Sequence, residues 1–181
     1  MTDSTWRFVR STAVHRRGKL TLREDLWRLP SGREEVYPVL AVGTTVGIVP
    51  FVDPAHVVLV NQYRHLTRRD SWELPGGGAL AGELPEAAAE RELREEAGYR
   101  AGRLAFLCRF YPSNAYLEEV ACCYIGEELT PDPLPSDDDE FFEREIVSFK
   151  DAIAMALDDR ITESVSKMAL LAAALKLGVK P

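Results

Sequence analysis

Between Gly76 and Gly98 the chain reads GGGALAGELPEAAAERELREEAG, and no other stretch restricts the fold as tightly. Three consecutive glycines let the backbone approach a ligand and leave its amides and carbonyls available. Pro85 to Ala97 is built from Ala, Leu, Glu and Arg, all strong helix formers. Pro85 suits the first helical position, Glu86 falls in the first turn where acids are favoured, and Gly98 suits the stop. The expectation is a glycine loop feeding a helix over Pro85–Ala97.

Residues three and four apart share a helix face, so Glu92, Glu95 and Glu96 point roughly the same way. Ala89, Leu93 and Ala97 form a neighbouring stripe that can face a core. Arg91 adjoins Glu92 and has Glu95 as its i+4 partner. Three like charges on one face repel: at ~5 Å and an effective dielectric of ~20, each pair costs about 3 kcal/mol. Two arrangements offset this. One is a solvated, screened face. The other is a hard divalent cation, which takes carboxylate oxygens and keeps waters for phosphate oxygens to replace. The run ELPGGG (Glu73–Gly78) favours the cation, because a solvated helix has no use for such a loop.

Composition narrows the partners. The 181 residues suit one domain, or one domain with an added subdomain. An apolar content of 46% supports a substantial core, and a net charge of −7 disfavours a protein that coats nucleic acid or anionic membranes. Cys108, Cys122 and Cys123 match neither a disulfide frame nor a zinc site, and they read as free thiols of a reducing cytosol. His15, His56 and His65 show no metal spacing. The N-terminal residues lack an apolar signal core, and the most apolar region, Val36–Val60, is interrupted by Pro, Gly and Asp. The expected location is cytoplasmic.

KLTLREDLWRLPSG alternates apolar and polar residues and reads as a strand and turn. VYPVLAVGTTVGIVPFV is one long strand or two short ones, Asp53-Pro54 is a turn, and HVVLVNQYR is a buried hairpin partner. RLAFLCRFY, LEEVACCYIGEEL and FFEREIVSF are strand-like, and helices follow near Lys150–Asp158 and Thr162–Leu177. Because helices do not alternate with each strand, the order implies a mixed α/β sandwich. Residues 1–35 are expected to form an antiparallel β subdomain and residues 36–181 the main domain.

The central segment resembles the Nudix box: G, five residues, E, seven residues, R-E, a bulky apolar residue, any residue, E-E, any residue, G, and a bulky apolar residue. Gly77 and Glu83 take the first two fixed positions, and Arg91-Glu92-Leu93-Arg94-Glu95-Glu96-Ala97-Gly98-Tyr99 takes the rest. The resemblance implies an α/β/α sandwich around a mixed sheet. It also implies Mg²⁺- or Mn²⁺-dependent hydrolysis of a nucleoside diphosphate linked to another moiety. By matching position, Glu92, Glu95 and Glu96 are the expected metal carboxylates and the Gly76 carbonyl a further ligand. Arg91 orients a box glutamate, Gly77 and Gly98 serve the loop and helix end, and Glu83 supports the site. A further carboxylate is expected from SDDDEFFE, with Glu140 first and Asp139 second, unless that loop is simply a solvated acidic turn.

VLVNQYR followed by WELPGGG resembles the ADP-ribose and nucleoside-diphosphate-sugar pyrophosphatases. That likeness implies phosphate or ribose contact by Arg64 and a site-lining role for Glu73. It also implies a homodimer built through the N-terminal strands, with Arg28, Trp6 and Trp27 as candidate substrate contacts or plain packing. Downstream, Pro112 falls two residues short of the proline that this branch carries after the box, Tyr116 lies where the dinucleoside-polyphosphate hydrolases also use a tyrosine, and Ser113-Asn114-Ala115 replaces the glycine and serine common in ADP-ribose enzymes. GDP-mannose, ADP-glucose and dinucleoside polyphosphates stand as alternative substrates, and a non-catalytic nucleotide sensor as an alternative role.

Overall fold

The protein is described by a computed structural model that covers residues 5–135 and 143–180. Its strands are β1 (Arg7–Arg17), β2 (Leu20–Arg28), β3 (Glu34–Asp53), β4 (His56–Arg64), β5 (Arg69–Glu73) and β6 (Gly76–Gly78). Helix α1 (Pro85–Glu92) continues into a π-helical turn, Leu93–Ala97. Then come β7 (Tyr99–Phe110), β8 (Leu117–Pro131), β9 (Glu143–Ser148), α2 (Phe149–Leu157) and α3 (Ser164–Leu177). None of the described helices is long and apolar enough to cross a membrane.

The chain forms two compact units. Among the described residues the first comprises 5–43 and 111–120, so it extends past residue 35 and recruits a segment distant in sequence. In it β1 and β2 form an antiparallel hairpin, and β2 pairs with the first half of β3 from Thr21↔Ala41 to Arg28↔Glu34. Trp27 gathers Trp6 and Phe8 edge-on, with ring centroids 6.5 and 5.4 Å away. Asp25 is buried here, accepting from Ser11 Oγ at 2.6 Å and Arg23 Nε at 3.0 Å. Arg23 reaches on to Glu118 at 2.8 Å.

Among the described residues the second unit comprises 44–110, 121–135 and 143–180, and its central strands β3, β4 and β8 are buried on both faces there. Side chains alternate along a strand, and the alternation sorts them between two layers. Val49 and Phe51 of β3, Val57 and Leu59 of β4, and Ala121, Cys123 and Ile125 of β8 cluster with Phe149, Ile153 and Leu170 of α2 and α3. Their neighbours Ile48, Val58, Val60, Cys122 and Tyr124 are equally buried but lie outside that cluster. On that other side α1 touches β6 and β7, and the π turn touches β4 and β7. This is the expected α/β/α layering. Continuous apolar runs such as VVLV arise because neither face meets water.

Helix α1 begins with Pro85 at its first turn and the chain ends the helical run at Gly98, whose φ of 81° is the left-handed geometry that a glycine stop supplies. Ala88, Ala89, Leu93 and Ala97 form the buried stripe, and burying Leu93 alone contributes about 2 kcal/mol. The expected helix over Pro85–Ala97 is present, and its second half is π-helical: the bond from the Gly98 amide goes to Leu93 O, five residues back. The glycine loop is also partly a strand, since Gly76, Gly77 and Gly78 pair with Gly47, Val46 and Thr45 of β3.

Candidate active site

The three glycines of β6 meet three side chains of the helix that follows. The Gly76 amide donates to Glu96 Oε2 at 2.7 Å. At Gly77 an added β-carbon would stand 2.5 Å from Glu92 Oε1. The Gly78 carbonyl accepts from Arg91 Nη2 at 3.1 Å. A β-carbon at Gly76 would collide with the Val46 carbonyl of β3. Glycine is therefore required at 76 by the backbone of the strand behind it, while at 77 a larger residue would displace the Glu92 carboxylate from its present seat. Glu92 and Glu96, touching adjacent residues of one strand, are held side by side at 8% and 4% exposure.

Arg91 organises the remaining acids. Its Nη1 donates to Glu92 Oε1 and Glu95 Oε2, both at 2.8 Å, and its Nε to Glu83 Oε1 at 3.0 Å. Hydrogen bonding to Glu83, then to Glu92 and Glu95, raises the guanidinium pKa further above its already high ordinary value, so Arg91 is a permanent cation. Glu83 in turn accepts from the Leu80 amide at 2.8 Å, which closes the loop onto the helix.

Beside β6, Glu73 is 2% exposed and is gripped by Arg64, whose Nε donates at 2.8 Å while Nη2 contacts the second oxygen. Gln62 Nε2 donates to the same carboxylate at 3.3 Å. The bond to Glu73 raises the Arg64 pKa, with smaller contributions from the charges of Glu163 and Glu96. The segment joining Glu73 to the glycines is latched from α3: the Leu74 amide donates to Ser166 Oγ at 2.9 Å, and Ser166 Oγ donates to Glu163 at 2.9 Å. Glu163 also caps α3, accepting from the Val165 and Ser166 amides at 2.6 and 2.7 Å.

Glu92, Glu95, Glu96, Arg91, Glu83, Gly76 and Gly77 are thus brought together, with Arg64 and Glu73 adjoining through β5. Arg28 lies in the first unit, where it pairs with Glu34 at 2.8 Å. Glu140 and Asp139 lie outside the described residues. Gln62, Glu163, Ser166 and Arg144, whose contacts follow below, carry no sequence signal for a site.

The donor set fits a hard divalent cation: carboxylate oxygens, two of them nearly buried, against a strand of glycines with no side chains in the way. One guanidinium is shared by Glu83, Glu92 and Glu95 and cannot neutralise all three. As placed here, with Arg91 and the Gly76 amide engaging the carboxylates, no three acidic, histidine or cysteine side chains among the described residues are spaced to hold a metal ion.

Comparison with known proteins is consistent across sequence and structure. The family model described as NUDIX domain matches residues 42–168. The ADP-ribose pyrophosphatase of Bacillus subtilis (strain 168) is 30% identical over 149 residues, 81% of this chain and 80% of that protein. The ADP-ribose pyrophosphatase of Mycobacterium tuberculosis (strain ATCC 25618 / H37Rv) is 32% identical over 130 residues, 71% of this chain and 63% of that protein. A crystal structure of an ADP compounds hydrolase superposes with a TM-score of 0.83 at 23% identity, covering 97% of each chain, a likeness of fold.

Proposed function

The chain belongs to the Nudix family, and from that premise we propose that it hydrolyses the diphosphate linkage of ADP-ribose or a related nucleoside diphosphate sugar. The products are a nucleoside monophosphate and a sugar phosphate. The observation that carries this reading is the seating of Glu92 and Glu96 against consecutive glycines with Arg91 bridging Glu83, Glu92 and Glu95. The two pyrophosphatase relatives support the substrate class.

In this reading Glu92, Glu95, Glu96 and the Gly76 carbonyl hold Mg²⁺ or Mn²⁺. An ion held there would supply charge neutralisation at the diphosphate oxygens and a lowered pKa for the attacking water. Arg91 holds Glu92 and Glu95 in place with charge-assisted bonds. Arg64 is assigned to the substrate phosphates or distal ribose, with Glu73 fixing its guanidinium. Arg28 is assigned to the substrate held by the partner subunit of the homodimer, and Glu140 to proton transfer from the water. The intact box weighs against a sensor without turnover.

We further place the protein in the cytoplasm, in keeping with three free cysteines, and assign it a homodimer through the N-terminal strands. Trp6, Phe8, Val14 and Val36 of that unit are exposed apolar residues that such an interface would cover. Light scattering at micromolar concentration tests this, and a monomer counts against it.

The function is tested by assaying ADP-ribose, GDP-mannose, ADP-glucose and dinucleoside polyphosphates with Mg²⁺. ADP-ribose or another nucleoside diphosphate sugar is expected to turn over best. Glu96→Gln is expected to lower that turnover at least about 100-fold while leaving the fold intact; near-normal turnover rules out the ion assignment.

A further inference from the structure

We propose that Arg144 is a positioning residue: it clamps the carbonyl end of the glutamate helix and so fixes the directions of the Glu95 and Glu96 carboxylates. The inference rests on the reading that those carboxylates hold a divalent ion.

The π turn creates the need. Its closing bond runs from the Gly98 amide to Leu93 O, and Gly98 then turns the chain out of the helix. The carbonyls after Leu93 consequently have no helical donor ahead of them. These orphans are met from outside. Arg94 O accepts from the Leu134 amide at 3.2 Å. Glu95 O accepts from Arg144 Nη2 at 3.2 Å and Glu96 O from Arg144 Nε at 2.5 Å. One guanidinium thus grips the backbones of two successive residues whose side chains form the candidate metal set.

The clamp is anchored. Arg144 sits on β9 in register with Val60 of β4, whose side chain is fully buried. A β-carbon at Gly98 would lie 3.7 Å from Arg144 Nη1, an ordinary contact distance, so the guanidinium packs directly beside the residue that ends the helix. The competing cation, Arg94, is drawn away to Asp132, donating to its carbonyl at 3.1 Å and pairing with its carboxylate at 3.2 Å. The chemistry calls for arginine. Its rigid fork reaches two adjacent acceptors at once, whereas lysine supplies a single flexible point charge. A cation at the carbonyl end of a helix is also favoured by the helix dipole.

The test compares Arg144→Ala, Arg144→Lys and Glu96→Gln with the wild type. Mn²⁺ affinity is read without turnover from the electron paramagnetic resonance signal of free Mn²⁺. Thermal midpoints are measured in parallel, and kcat and KM are read with the best substrate of the panel above. Arg144→Ala is expected to weaken Mn²⁺ binding about tenfold and to lower kcat more than it raises KM, with Arg144→Lys in between. If Arg144→Ala does not fold, Arg144→Lys carries the same comparison. Wild-type Mn²⁺ affinity in the Arg144 variants, with affinity lost in Glu96→Gln, overturns the inference alone, whatever the thermal midpoints show. Wild-type affinity in Glu96→Gln overturns the ion assignment and the inference together.

Discussion

The carboxylate of Glu92 lies against the α-carbon of Gly77, close enough that a β-carbon there would sit 2.5 Å from Oε1 and 2.7 Å from the carboxyl carbon. Real β-carbons do not approach this closely, so the hydrogen at that position is what lets the helix carry its acid flush against the strand. Gly77→Ala is expected to push Glu92 outward by a fraction of an ångström to an ångström. Displacement on that scale costs up to about 100-fold in rate. Turnover and the thermal midpoint, measured together, check this: activity should drop far more than stability.

The Arg64–Glu73 pair couples a buried acid to a cation that still reaches solvent, with side-chain exposures of 3% and 41% for Glu73 and Arg64. Removing Arg64 leaves the acid with only Gln62 as a donor among the bonds described. Arg64→Ala is therefore expected to destabilise by about 2–3 kcal/mol, below the range for a wholly buried pair because the cation is partly hydrated. Replacing both by methionine should recover most of that loss. Urea unfolding of the two variants measures the difference.

Acid sensitivity should be traceable to Asp25 in the N-terminal unit. Burial pushes its pKa up, but bonds from Arg23 and Ser11 outweigh burial and hold it below the ordinary carboxylate value. A depressed folded-state pKa stabilises above the unfolded value of ~3.9, and that stability is lost as the pH falls through the lower folded value. The urea midpoint of the wild type should thus fall more steeply between pH 5 and pH 2, roughly the window for a carboxylate, than that of Asp25→Asn. Parallel slopes would count against the assignment.

Cys123 is fully buried, and burial first of all, with the neighbouring Cys108 adding to it, pushes its thiol pKa well up. Thiolate is the reactive form. Alkylation with iodoacetamide at pH 8 should leave Cys123 unmodified in the native protein and modify it in urea, as read by peptide mass spectrometry.

The helix, its stop and its buried stripe are legible in the sequence because Pro85, Leu93 and Gly98 each carry a local physical signal. So are β3, β4, β7 and β8, whose apolar runs need no partner to be seen. Strand β6 is not legible: three glycines have no side-chain pattern, and only pairing with Thr45–Gly47 makes them a strand. The short β5 is hidden for a similar reason, since Arg69, Asp70 and Ser71 carry no apolar pattern. The carbonyls of the π turn are met by external donors, Leu134 and Arg144, that lie 40 or more residues downstream of the residues they serve. Local propensity cannot register them. The box names the acids, but the roles of Ser166 and Gln62 exist only after chain segments far apart in sequence have met.

The bond from the Leu74 amide to Ser166 Oγ spans 92 residues. A nascent chain whose Gly76–Gly98 segment has already left the ribosome still lacks the hydroxyl that pins its glycine strand from behind. That bond can form only after α3 has emerged, so the early-made half of the candidate site waits for a late-made strut.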